Sequence, residues 1–197
     1  QVFISSPFID LQSSSAIGTS ALGHGNAGGI TLQTNSLTMN FSEITSSVAG
    51  QGQGGTITVL GLQGPGTAAQ TIALSSDSRI LTETTNADPL IPGEGAAGSI
   101  NLSTDQFALT NSKISAETRF SRGHAGNIAI EAGNQVLIGS NSEISRRSTA
   151  GADQAFQYGN AGSISLTSPN LAITDGGAIT ASTETNGAGG SIVLNVG

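Results

Sequence analysis

Few side chains in this sequence are equipped for chemistry. The ionisable set of its 197 residues is thirteen Asp and Glu, six Lys and Arg and two His, with no Cys. Without Cys there is no disulfide scaffold, thiolate zinc site or cysteine nucleophile. Glu83 and Glu117 recur at one position of a repeating pattern, which would set them roughly 5 Å apart, the separation used by retaining glycosidases. A neighbouring Arg would hold both ionised, and no Asp cluster or groove aromatic accompanies them, so no catalytic residue is expected. His24 and His124 fall three repeats apart, about 14 Å at the interstrand spacing, which is too far to share a metal. The stretch from Gly50 to Gly54 lacks the following helix of a phosphate cradle, so neither metal nor cofactor is expected. A net charge of −7 with six cations leaves too little positive charge for a nucleic-acid partner. What remains is a cluster on long connections: Arg119, Phe120 and Arg122 on one, Phe156 and Tyr158 on the next. Aromatic faces and guanidinium forks together make a candidate ligand or partner site, although long loops also fold back and bury their own aromatics.

The elements that must position these residues are repeats. Gly-x-Ile-x-(Leu/Val/Ile) occurs six times, with Ile30, Ile57, Ile100, Ile128, Ile164 and Ile192 at its centre. A second alternating pair follows (Leu37/Met39, Ile72/Leu74, Phe107/Leu109, Val136/Ile138, Leu171/Ile173), then a third anchor (Ile44, Ile80, Ile114, Ile144, Ile179). Four of these anchors have Ser two residues before them, and the same spacing extends back through Val2/Ile4, Ile9/Leu11 and Ile17. Alternation over about five residues is the period of a half-buried strand. The joints carry single Gly, Ser and Asn rather than hairpin pairs, as in Asn111-Ser and Asn141-Ser. A unit as short as the step from Ile30 to Ile57 cannot bury its own face and must stack on its neighbours. The expected fold is all-β: a right-handed single-stranded parallel β-helix of about six three-strand coils, with three parallel sheets around one narrow core. It forms a single domain over 1–197, read as a fragment of a longer shaft, with insertions at about 60–70, 84–97 and 148–160. The first of these, with Pro65 between two Gly, is expected to be flexible.

The run Gly159-Asn-Ala-Gly-Ser-Ile-Ser-Leu-Thr-Ser-Pro-Asn-Leu-Ala-Ile-Thr-Asp-Gly-Gly-Ala-Ile-Thr-Ala-Ser-Thr183 resembles the repeats of filamentous-haemagglutinin-like exoproteins of the two-partner secretion family, particularly the cyanobacterial type. The resemblance covers nearly the whole chain and implies a secreted or cell-surface adhesin or fibre. It also implies export through an outer-membrane transporter and an extracellular location. The family's N-terminal secretion domain is not recognisable here. The expected role is a structural shaft without catalysis, with a cell-surface glycan or protein receptor and end-to-end self-association as expected partners. The alternatives are a carbohydrate-binding module using the corner loops and, further off, a polysaccharide-cleaving β-helix.

Stacking also makes charge readable. The residue before each third anchor and the residue three after it should face outward. That places Glu43 beside Arg79, Lys113 beside Glu143 and Glu117 beside Arg147 as exposed register pairs. Arg146 falls where other repeats carry the inward residues Thr82, Ala116 and Ala181, so its strand is expected to end early.

Overall fold

A computed structural model describes residues 1–85, 94–149 and 159–197. Among these, every regular element is a strand. Six turns of a coil wind along the chain, each offering strands to three faces. The first turn is β1 (Val2–Ser5), β2 (Phe8–Gln12) and β3 (Ala16–Gly23), and the second β4 (Ile30–Gln33), β5 (Ser36–Asn40) and β6 (Glu43–Gly50). The third is β7 (Ile57–Leu60), β8 (Ala69–Ser75) and β9 (Arg79–Thr85). In the fourth and fifth turns the first two strands fuse into β10 (Ile100–Thr110) and β12 (Ile128–Gly139), followed by β11 (Lys113–Arg119) and β13 (Glu143–Thr149) respectively. The sixth is β14 (Ser163–Ser168), β15 (Asn170–Ile173) and β16 (Ala178–Thr183), after which β17 (Ser191–Val196) pairs on β14. Every pairing is parallel and joins a strand to its equivalent one turn away, which defines a parallel β-helix.

The expected three sheets become two. Because β10 and β12 run through the first corner, with a register shift between Thr104 and Gln106, the first and second faces join into one eleven-stranded sheet. The third face is a separate six-stranded sheet, β16-β13-β11-β9-β6-β3. Ile30, Ile57, Ile100, Ile128 and Ile164 stack in register as the alternation requires, each at most 1% exposed. Leu37, Ile72, Phe107 and Val136 form the second stack and Ile44, Ile80, Ile114 and Ile144 the third, all buried in one core. Full burial of such a side chain stabilises by about 1.5–3 kcal/mol.

The corners explain the small residues. Before each third strand the chain turns through a residue at positive φ: Ser14, Phe41, Asp77, Asn111, Asn141 and Gly176. The Ser that follows in five of the turns sends its hydroxyl back to a carbonyl, as Ser42 to Asn40 at 2.9 Å and Ser112 to Thr110 at 2.9 Å. This satisfies a buried polar atom at the bend, and it is the reason for the Ser two residues ahead of the anchor in those five turns. After each third strand come two columns of stacked Gly, spaced Gly-x-x-Gly, as in Gly95/Gly98, Gly123/Gly126 and Gly159/Gly162. A Cβ on Gly126 would collide with the carbonyl of Gly98 one turn below, so side chains are excluded there.

Two local features depart from the plain repeat. The insertion between Leu60 and Ala69 closes on itself: Gly61 N–H donates to Thr67 O at 2.9 Å, and the Thr67 hydroxyl donates to Gly64 O at 2.7 Å. It is a hydrogen-bonded bulge. The strand carrying Arg146 does not end early; β13 runs on to Thr149, and Arg146 points inward with 0% exposure. Its guanidinium fits because Gly162 lies directly against it and has no side chain to displace it.

Candidate functional site

The cluster singled out in the sequence is only partly within the described residues. Phe156 and Tyr158 lie outside them, as do Leu90 and Ile91 of the preceding insertion. Arg119 ends β11 and lies along the outer side of the six-stranded sheet. There its Nε meets Glu83 Oε1 at 2.9 Å and its Nη2 meets Glu117 Oε2 at 3.3 Å. Phe120 is half-buried at positive φ, its N–H donating to Thr149 O at 3.0 Å. Arg122 reaches back to Glu94 at 3.7 Å. Both Arg side chains of this corner therefore already face carboxylates. His124 accepts a hydrogen bond at Nδ1 from the Asn160 N–H at 3.0 Å, which ties adjacent turns together. Among the described residues no group of three His, Cys, Asp or Glu could hold a metal ion.

Charge instead gathers on the outer side of the six-stranded sheet, which carries four of the chain's six cations: Arg79, Lys113, Arg119 and Arg147. The registers follow the sequence reading, with Glu43 beside Arg79, Lys113 beside Glu143 and Glu83 beside Glu117. The ion pairs differ. Lys113 meets Glu143 at 3.6 Å as expected, but Arg79 turns to Asp77 at 3.0 Å, and Arg147 leans to Glu184 at 3.9 Å. Glu117 takes Lys113 at 2.9 Å and Arg119 rather than Arg147. Pairs along one strand (Lys113 with Glu117) and across the ladder (Arg119 with Glu83) both occur, so register limits the choice of partner without fixing it.

Glu117 is the most constrained of these groups. Burial alone would raise its pKa. That effect is outweighed by hydrogen bonds from the Ser115 hydroxyl and Lys113, by the charge of Lys113 and by Arg119, which together bring it to about 2. A second hydroxyl, on Ser145, reaches Glu117 at 3.2 Å. A general acid near neutrality needs a raised pKa, so Glu117 is fitted to hold cations and not to deliver a proton. Along the same face, towards the first turns, lies a cleft of ≈260 Å³ lined by Ser14, Phe41, Glu43, Asp77 and Arg79. Reading by repeats passed over it, although a signal was present. Phe41 occupies the turn position where the other turns carry Ser, Asp, Asn or Gly.

The chain matches no protein-family model, no curated protein and no solved structure.

Proposed function

We propose that this β-helix is a shaft segment of a secreted or surface-attached adhesin or extracellular fibre, without catalysis. The observation that carries this reading is the parallel ladder that runs from Val2 against Ile30 to Ser168 against Val196. Each turn advances the rod by about 4.8 Å, so its length is set by the number of turns and it can hold apart whatever lies at its two ends. The resemblance to filamentous-haemagglutinin-like repeats supports an extracellular location, export through an outer-membrane transporter and a cell-surface glycan or protein as receptor. Duplicating residues 100–127, one whole turn, should lengthen the rod by about 4.8 Å in solution scattering and leave its melting cooperative. Hydrolysis of a polysaccharide by the purified chain, abolished by Glu83→Gln with Glu117→Gln, would overturn the reading. A second reading, display of a carbohydrate-binding site, is favoured by aromatic exposure on the first two turns: Phe3, Phe8 and Phe41 are 59%, 75% and 53% exposed.

A further inference from the structure

We propose that Phe41, Glu43, Asp77 and Arg79 form a binding site for the pyranose ring of a saccharide. The inference rests on the carbohydrate-display reading but places the site on a different corner from the loops that the sequence singled out. Phe41 sits at φ 49°, in the left-handed region that costs a bulky residue free energy. The equivalent positions in the other turns are Ser14, Asp77, Asn111, Asn141 and Gly176, mostly residue types that tolerate it. Burial does not compensate for this at Phe41, since the residue is 53% exposed. It therefore contributes little to the core at a position where folding alone favours Asn.

The cleft beside the ring supplies what a hydroxylated ligand needs. Glu43 is the register neighbour of Arg79, yet among the described residues its carboxylate makes no ion pair or hydrogen bond. Arg79 is held instead by Asp77, Nη2 contacting both carboxylate oxygens at 3.0 Å and Nε one of them at 3.3 Å. This sets the guanidinium at the cleft wall, where among the described residues no hydrogen bond engages Nη1. Acceptors and a donor thus converge beside a flat apolar face. An alkylammonium ligand would use the acceptors only and leave the Arg79 donor unused; a sugar ring uses the ring face, the acceptors and the donor together.

Saturation-transfer NMR with the methyl glycosides of glucose, galactose and mannose tests this, with choline chloride as the cationic comparison. At least one glycoside should receive saturation from the wild-type chain. Phe41→Asn should weaken that binding by about tenfold while leaving the melting temperature equal or higher, because Asn suits the turn. Glu43→Gln should weaken it without changing the fold. Binding that survives both substitutions overturns this site and leaves the display reading standing. Preference for choline over every glycoside, or a lowered melting temperature for Phe41→Asn, overturns the assignment as well. If no saccharide binds anywhere on the chain, both the site and the display reading fall.

Discussion

Arg146 has no counterpart in the other turns. One of its nitrogens, Nη2, donates to Ala125 O at 2.8 Å, while Nε and Nη1 are buried with no partner. Burial lowers its pKa from 12.5 to about 10, so the charged form is held at a cost throughout the neutral range. A base whose folded pKa is depressed destabilises below that value and recovers only as pH rises through about 10. Replacing it with Met, which fills similar space without charge, should therefore raise stability by about 1–3 kcal/mol in urea unfolding at pH 7. Glu117 is the opposite case. Its folded pKa lies below its ordinary value, so its contribution is complete above pH 4.5 and is lost as pH falls towards 2. Melting temperature followed from pH 7 to pH 2 should drop steeply across that window in the wild type, and Glu117→Gln should flatten the drop while lowering the neutral-pH plateau.

At the scale of the element, the turns carry more sequence constraint than the strands. A strand asks only for alternation, and its apolar positions accept Ile, Leu, Val or Phe, as the second stack shows. The Gly corner asks for a missing side chain at every level. Gly126→Ala would drive a Cβ into backbone that cannot move without separating two turns, and should cost about 3 kcal/mol or more. Gly189, whose Cβ would meet nothing within 4 Å, is the control, and Gly189→Ala should be near neutral. Chemical denaturation of the two variants decides whether the Gly columns are steric or incidental. The strand register has its own comparison: Ile128→Asp buries an uncompensated charge in the stack, whereas Thr31→Asp places one on the outer face. The first should unfold the central turns and the second should change melting little; equal tolerance of the two would refute the register.

For the whole molecule, the open question is what pairs with the outermost strands. Ile192 and Leu194 are register partners of the buried Ile164 and Leu166, yet they are 41% and 43% exposed. The end-to-end self-association expected from the sequence would use this edge. Proline at Val193 suggests itself as a block, but the alternation of a parallel ladder argues otherwise. Ser191 N–H donates to Gly162 O, so Ser191 and Val193 face β14 and the outward donors belong to Ile192 and Leu194. Leu194→Pro should thus reduce concentration-dependent association in sedimentation, while Val193→Pro should loosen β17 from β14. Association unaffected by Leu194→Pro would remove this edge as the contact.

The sequence by itself determined the coil: period, strand positions, inward residues and register all follow from alternation and from Gly and Ser at fixed offsets, because each turn must bury the face of the next. It also placed Glu43 beside Arg79 and Glu83 beside Glu117, since register alone settles which residues are neighbours. Which neighbour a long charged side chain chooses was decided only in three dimensions. Arg79 takes Asp77 and Arg119 bridges Glu83 and Glu117, because several carboxylates lie within reach and small differences in reach and entropy choose among them. Arg146 was misread for a related reason. Alternation placed it inward correctly, but the space that admits its guanidinium comes from Gly162, sixteen positions on and one turn away. Phe41 was visible as a letter but not as a site, because its turn conformation and the unpaired Glu43 beside it exist only once the turns are stacked.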